Sequence, residues 1–156
     1  MRCSRSIIMR RPGLWLALLL GAASSGCGDP TAATSRADVE ARARWNATAP
    51  SSYEVTVHVG CFCPPSNGAT ILVTSGATVS ARDPVTGAAL SQAEAMRFPT
   101  VDMLFDEIAR ASAIPSAQVV AEYDATYGFP RQVSINSAPG ALDSGVGYSL
   151  TDFHPR

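Results

Sequence analysis

The sequence predicts a single α+β domain built on an antiparallel sheet of about six strands, with its helices packed on one face. Three observations lead to this prediction. Short segments rich in β-branched residues are separated by tight turns, a strongly amphipathic segment follows residue 100, and a second helical segment precedes the first strand. Runs of strands with short turns and few helices are typical of α+β folds. The predicted element order is α-βββ-α-βββ.

Two segments have helical patterns. We expect Ser35 to cap a first helix that ends before Pro50, with one aligned face formed by Ala37, Ala41 and Trp45. Thr100 is expected to cap a second helix that continues to Ala113. The apolar stripe of this helix is expected to face the core and consists of Val101, Leu104, Phe105 and Ile108.

The strands are recognised by β-branched and aromatic residues between turn signals. They are expected at residues 53–63, 69–74, 77–82, 119–124, 132–136 and 146–153. Ser75–Gly76 is expected to form a two-residue hairpin between the second and third strands. Residues 90–98 fit neither pattern well and are compatible with a helical turn.

Residues 1–26 have the three parts of a secretory signal peptide: a basic stretch, an apolar run and small residues. The segment that follows the apolar run, Ser24-Ser25-Gly26-Cys27, resembles the lipobox at which bacterial lipoproteins are cleaved and lipidated. We therefore expect lipid on Cys27 to anchor the protein to a membrane. Residues 27–35 then form the lipidated cysteine and a flexible tether, and residues 36–156 form the domain.

Charge and composition exclude some partners. The chain has no lysine, and residues 27–156 carry eight arginines against thirteen acidic residues, a net charge of −5. Nucleic-acid binding normally requires a basic surface, so no nucleic-acid partner is expected. The expected location is the bacterial cell envelope, with the domain outside the cytoplasm.

Two cysteines, Cys61 and Cys63, lie at the end of the first predicted strand. Residues 53–63 alternate strictly, so both sulfur atoms are expected on the apolar face of that strand. Residues two apart in a strand are separated by about 6.5 Å, near the upper limit for a disulfide. A bend next to Gly60 or after Cys63 shortens this distance. Because unpaired cysteines outside the cytoplasm usually join, we predict a Cys61–Cys63 disulfide that fixes the end of the strand.

Two alternatives remain for these cysteines. His58, Cys61 and Cys63 are suitable ligands for zinc or copper, although the alternation places His58 on the opposite face of the strand. The two cysteines are also compatible with a redox-active pair. The sequence therefore predicts a disulfide and leaves a metal site or a redox site as the other interpretations.

Four segments together resemble the group of uncharacterised bacterial secreted and lipoprotein domains called domain of unknown function 6174. They are the strand that ends in Cys61-Phe62-Cys63, the helix start at residues 100–105, the segment Tyr123-Asp124-Ala125-Thr126-Tyr127-Gly128-Phe129-Pro130, and the closing strand at residues 147–153. The resemblance covers residues 45–153. It implies a periplasmic or cell-surface setting and no particular activity.

No catalytic constellation is found in the sequence. There is no nucleophile elbow and no phosphate-binding glycine loop, and Asp124 is expected to hydrogen-bond its own turn. We therefore expect a protein that is not an enzyme and has no cofactor, namely a binding or structural module for another envelope protein or polymer. A small-ligand or metal binder is the alternative. An exposed aromatic cluster on one sheet face would favour the binding module, and its candidate members are Phe62, Tyr127, Phe129 and Tyr148.

Overall fold

A computed structural model describes residues 30–64, 66–138, 140 and 144–156, with side chains from residue 36 onwards. The helices are α1 (Pro30–Thr48), α2 (Gln92–Ala95) and α3 (Val101–Ser112). The strands are β1 (Ser52–Cys61), β2 (Ala69–Thr74), β3 (Ala77–Arg82), β4 (Gln118–Tyr123), β5 (Pro130–Asn136) and β6 (Gly145–Pro155). The predicted α+β class and six-stranded antiparallel sheet are confirmed.

The six strands form one sheet in the spatial order β3-β2-β1-β6-β5-β4. Every neighbouring pair is antiparallel. The first three strands form one meander and the last three form another, and the two meanders meet where β1 pairs with β6. The first and last strands of the chain are therefore the central pair of the sheet, while β3 and β4 are its edges.

The observed order, α-βββ-αα-βββ, differs from the predicted order by one helix. Residues 92–95 form the short helix α2, which begins with a capping box in which Ser91 and Glu94 each bond the backbone of the other. The predicted first helix also starts too late, because α1 begins at Pro30 and includes residues 30–35 of the predicted tether. Proline is favoured in a first helical turn, and the alanines that follow favour helix, so Ser35 is not the N-cap.

The packing of the helices also differs from the prediction. Side chains of α1 and α3 are buried in one core together with β1, β2, β5 and β6. Helix α2 instead has no buried residue and lies against the edge strand β3. Two helices therefore cover one face of the sheet, and the third lies beside an edge, where its Ala95 packs against the margin of the core.

Helix α3 agrees closely with its sequence signals. The Thr100 hydroxyl accepts a hydrogen bond from the backbone N–H of Met103, at 3.3 Å, as an N-cap residue does. The predicted apolar stripe is buried, and it is extended by Ala111. The helix ends at Ser112, within one residue of the predicted end.

Aromatic side chains fill the core next to the start of β1. Trp45 of α1 is 2% exposed and packs edge-on against Tyr53, with ring centroids 5.4 Å apart. Phe129 and Phe153 stack on each other at 4.6 Å and also contact Trp45. The Tyr53 hydroxyl accepts a hydrogen bond from the backbone N–H of Val101, and burial raises the pKa of this tyrosine. This cluster joins α1, α3 and the two central strands.

The turn between β4 and β5 is fixed against helix α1. The Asp124 carboxylate accepts hydrogen bonds from the backbone N–H groups of Thr126 and Tyr127, at 2.9 and 2.7 Å. Gly128 has φ +82°, and a Cβ added there would lie 2.5 Å from the carbonyl oxygen of Ala41. Glycine is therefore required both by the backbone conformation and by the close approach of the helix.

Candidate functional site

The face of the sheet opposite α1 and α3 carries a row of polar side chains across four strands. The paired residues are His58 of β1, Ser149 of β6, Gln132 of β5 and Glu122 of β4. His58, Gln132 and Glu122 are exposed, and Ser149 is half-buried. We call this surface, with the row described next, the open face.

A second row lies beside the first and has almost no side chains in its centre. Gly60 of β1 pairs with Gly147 of β6, which in turn pairs with Ser134 of β5, and Ser134 pairs with Val120 of β4. A Cβ added at either glycine would meet no atom closer than 3.7 Å, so packing does not require glycine at these positions. Their effect is to leave the backbone of the two central strands accessible from the open face.

The two rows line a shallow groove of about 310 Å³. Its side chains supply hydroxyl, amide, imidazole and carboxylate groups, and the 63% exposed Val120 provides an apolar margin at the edge strand. The groove residues include one carboxylate, Glu122, and one imidazole, His58, while the hydroxyl of Tyr148 is bonded to Glu107. Because three strand spacings separate Glu122 from His58, their backbones lie roughly 14 Å apart, too far for direct proton transfer between the two side chains.

His58 is held close to the connection between β1 and β2. Gly68 has φ +86°, and a Cβ added there would lie 2.7 Å from Nδ1 of His58 and 2.6 Å from the carbonyl oxygen of Val57. The chain therefore passes directly beside the imidazole, which is possible only with glycine. This contact limits the imidazole on one side and leaves its other side towards the groove.

An ion-pair cluster lies on the same side of the sheet, near the start of β1. Arg82 of β3 donates two hydrogen bonds to the Glu54 carboxylate, at 2.8 and 3.2 Å, and Arg156 donates one at 3.3 Å. The Glu54 side chain is 12% exposed. The hydrogen bonds and charge of Arg82, with a smaller effect of Arg156, lower the pKa of Glu54. The cluster therefore holds Arg156, the residue after β6, against the start of β1.

Cys61 and Cys63 lie at the other end of β1, and their sulfur atoms are at disulfide distance. Cys61 is the last residue of β1, so the observed strand ends two residues before residue 63, where the predicted strand ends. The chain bends after Cys61 and brings the two Cα atoms to 5.2 Å, within the usual range for a disulfide. Both cysteines are exposed, which differs from the predicted burial on the apolar face, because the core ends before this point of β1.

A cavity of about 220 Å³ adjoins the cysteine pair. It is lined by Val59, Cys61, Cys63, Ser66, Arg97 and Phe98. Phe98 is buried, whereas Arg97 is exposed and forms no salt bridge with any residue from 36 to 156 that the structure describes. Phe62, between the cysteines, is 91% exposed. The end of β1 therefore combines two sulfur atoms, one arginine and one uncovered aromatic ring.

The structure separates the residues of the predicted metal alternative. His58 belongs to the open face, and Cys61 and Cys63 border the cavity next to Phe98 on the core side. In the described part of the chain, no three His, Cys, Asp or Glu side chains are grouped so that they could hold a metal ion. Parity along the strand therefore correctly predicts the position of His58 relative to the cysteines.

The exposed aromatic cluster that would favour a binding module is not formed by its four candidate residues. Phe129 is buried, and Tyr127 packs against Phe153 with centroids 5.1 Å apart. The Tyr148 hydroxyl donates to the Glu107 carboxylate at 2.8 Å. Of the four candidates, Phe62 alone is fully exposed. The other three rings stabilise the core and its margins, through contacts with α1, α3 and β6 that the sequence pattern does not reveal.

The predicted lipidation site, Cys27, and the predicted signal peptide lie outside the described residues. Within residues 30–64, 66–138, 140 and 144–156, no helix has both the length and the apolar character needed to cross a bilayer.

Sequence reasoning did not identify most residues of the open face or the cavity. Gln132, Ser134 and Ser149 are ordinary outward positions of alternating strands, and only the pairing of β5 and β6 aligns them. The two glycines Gly60 and Gly147 were the available signal, because glycine inside a strand often marks a close approach of a ligand or of another backbone. Arg97 lies in the segment without a clear pattern.

Comparison with known proteins gives one family. A family model described as a family of unknown function, DUF6174, matches residues 38–155, which is most of the chain and nearly all of the described domain. No curated protein and no solved structure matches the chain. The matched region includes the cysteine pair, the turn of Asp124 and all six strands. The chain therefore belongs to the DUF6174 family of unknown function.

Proposed function

We propose that this protein is a lipid-anchored component of the bacterial cell envelope whose domain binds another envelope protein through the open face. The observation that carries the proposal is the uncovered part of this sheet face, beside the buried Thr56 and Thr70 of the same side. Helices α1 and α3 bury the opposite face, and a polar groove with a glycine floor crosses four strands on this one.

The chemistry of the groove favours a neutral, hydrogen-bonding partner surface. Gln132, Ser134 and Ser149 offer uncharged donors and acceptors, while the glycines allow a partner to approach the backbone closely. None of the described residues that line the groove is an arginine, and residues 27–156 are acidic, so a nucleic-acid partner is not proposed. Exposed polar surfaces of this kind are typical of non-obligate protein interfaces.

The dimensions of the face also favour a protein over a small molecule. The open face spans four strands, and with the same side of β2 and β3 the six strands, at about 4.8 Å spacing and six or more residues each, give roughly 600–800 Å². A standard protein interface takes roughly 800 Å² from each partner. The groove, by contrast, lies at the lower limit of about 300 Å³ for small-molecule sites, and it is open rather than enclosed.

The anchoring part of the proposal rests on residues 1–27. A basic stretch, an apolar run and small residues lead to Cys27, and two or three acyl chains on that cysteine would hold the domain at a membrane. The same setting is oxidising, which agrees with a bonded Cys61–Cys63 pair. We propose a non-catalytic role for the groove because it contains a single carboxylate and a single imidazole, and these are far apart.

The anchor is tested by expressing the full chain and the Cys27→Ser variant in a bacterium and labelling with an alkyne-tagged fatty acid. We expect label and membrane fractionation of the unchanged chain, and loss of both in the variant. Label that persists without Cys27, or an unchanged chain that is secreted without label, would overturn the lipoprotein assignment.

The open face is tested by placing a photoreactive phenylalanine analogue at Ser134 or Ser149 and irradiating intact cells of the native host. The matched control carries the analogue at Ala109, an exposed small residue of α3 on the opposite side. We expect one adduct of the same mass from both sheet positions and none from Ala109.

A second measurement separates a specific partner from a chance neighbour. Ser134→Arg introduces a long charged side chain on the open face and is expected to abolish the adduct formed at Ser149. Ala109→Arg is expected to leave it unchanged. Absence of adducts at both sheet positions, or an adduct that Ser134→Arg does not affect, would contradict binding through the open face.

A further inference from the structure

We infer that Cys61 and Cys63 form a thiol–disulfide exchange site that oxidises paired thiols of a client polypeptide. The observation is the combination of an exposed cysteine pair, an adjoining cavity with an arginine, and an uncovered phenylalanine between the cysteines. The inference is independent of the open face, because the groove and this cavity have no residue in common.

Accessibility is the first requirement for exchange, since a thiolate must approach a sulfur atom along the S–S axis. Both cysteines are exposed, because Cys61 is the last residue of β1 and Cys63 lies beyond the strand. Structural disulfides of secreted proteins resist reduction, whereas exposed ones are more often labile, regulatory or catalytic. The position of this pair is therefore that of a reactive disulfide.

The fold does not depend strongly on this bond. The two cysteines are separated by two positions, so the bond closes a very small loop and restricts the unfolded chain little. Strand β1 is already held along its length by pairing with β2 and β6, up to Cys61 opposite Val146. Reduction is thus compatible with an intact domain, as a reversible exchange site requires.

The surroundings of the sulfur atoms favour the chemistry and suggest the client. Arg97 lines the same cavity and also interacts electrostatically with Glu94. We expect its positive charge to favour the thiolate that leaves when the disulfide is attacked. Val59 and Phe98 line the cavity as well, and Phe62, between the two lining cysteines in the chain, is exposed. These apolar contacts fit an extended or unfolded polypeptide segment that carries cysteines between hydrophobic residues.

The reaction is a balanced exchange in two steps. A client thiolate attacks one sulfur of the pair, the Cys61–Cys63 bond breaks, and a mixed disulfide forms while the other cysteine leaves as a thiolate. The second client thiolate attacks the client sulfur of the mixed disulfide. The client gains a disulfide and loses two electrons and two protons, and both Cys61 and Cys63 become thiols.

The experiment equilibrates the domain with glutathione buffers of graded ratio and determines the reduced fraction by intact mass after alkylation. We expect the oxidised and reduced forms to exchange within the range that glutathione buffers cover. A domain that stays oxidised throughout, or that yields thiols holding a stoichiometric metal, would overturn the inference.

Two further variants test the client reaction directly. Cys61→Ser and Cys63→Ser each leave one thiol, and at least one is expected to form a stable mixed disulfide with an unfolded peptide that carries an activated cysteine. Arg97→Gln is expected to slow oxidation of a dithiol peptide by about threefold, the effect of a leaving-group pKa raised by about one unit. Arg44→Gln, an exposed arginine on α1, is the matched control. Equal rates for Arg97→Gln and the control would contradict the role of Arg97.

Discussion

The two ends of strand β1 are held by different means. At the start, Tyr53 is 3% exposed and packs against Trp45, and its hydroxyl is bonded to the first turn of α3. At the other end, Cys61 and Cys63 are exposed and Phe62 has no cover. The comparison indicates that the buried end determines the stability of the domain, whereas the exposed end is available for chemistry or contact.

Truncation of Trp45 is the strongest test of this comparison. Trp45→Ala removes a buried ring with three aromatic neighbours and the hydrogen bond from its Nε1 to Asp102, so we expect a loss of about 3–5 kcal/mol in the free energy of unfolding. Phe62→Ala at the opposite end is expected to change it by less than about 0.5 kcal/mol. Urea denaturation measures both, and similar losses would break the comparison.

Gly128 tests the attachment of the β4–β5 turn to α1, near the buried end of β1. Gly128→Ala combines an unfavourable positive φ with a contact at 2.5 Å, for an expected loss of roughly 2–4 kcal/mol. Gly87 has φ +72° and open space around it, so Gly87→Ala measures the backbone effect alone, about 1 kcal/mol. Thermal unfolding of the two variants distinguishes these contributions. Equal losses of stability in Gly128→Ala and Gly87→Ala would mean that the close approach of α1 does not add to the effect of the backbone conformation.

Removal of the cysteine pair tests the exposed end. Because the loop is so short, the double variant Cys61→Ser, Cys63→Ser is expected to lower the free energy of unfolding by no more than about 1–2 kcal/mol. The measurement is urea denaturation, with the unchanged domain in the oxidised and reduced forms as references. A loss as large as that of Trp45→Ala would make the disulfide a principal support of the fold.

Glu54 gives the smallest expected effect and refines the description of the buried end. Its pKa is lowered in the folded state, so its contribution is complete above the ordinary value of 4.5 and is lost as the pH falls through the lowered value. Both arginines are about half exposed, so the contribution is expected to be less than about 1 kcal/mol. When the pH is lowered from neutral to acidic, the urea midpoint should fall more for the unchanged domain than for Glu54→Gln. Equal declines would contradict the assignment.

Local signals predicted most elements of the fold. The cap at Thr100 and the apolar stripe after it were sufficient for α3, and Asp124 bonds its own turn as expected. The errors lie where the local pattern is weak or interrupted. Helix α1 starts earlier because alanine-rich sequence resembles a tether as much as a helix, and α2 is a single turn stabilised by its capping box.

The candidate sites were predictable only in part. Alternation along one strand predicts that Cys61 and Cys63 lie close together and that His58 lies on the other face of that strand. The partners of His58 in the groove do not, because Ser149, Gln132 and Glu122 become neighbours through pairing between strands that are up to about ninety residues apart.

The sequence alone determined the α+β class, the six strands, helix α3, the DUF6174 resemblance and the proximity of Cys61 to Cys63, because each of these depends on residues close together in the chain. The tertiary structure decided that β1 pairs with β6, that part of one sheet face stays uncovered, and that Arg97 borders the cysteine pair. These features depend on which distant segments pack together to bury the apolar surface, and a linear pattern carries no direct record of that choice.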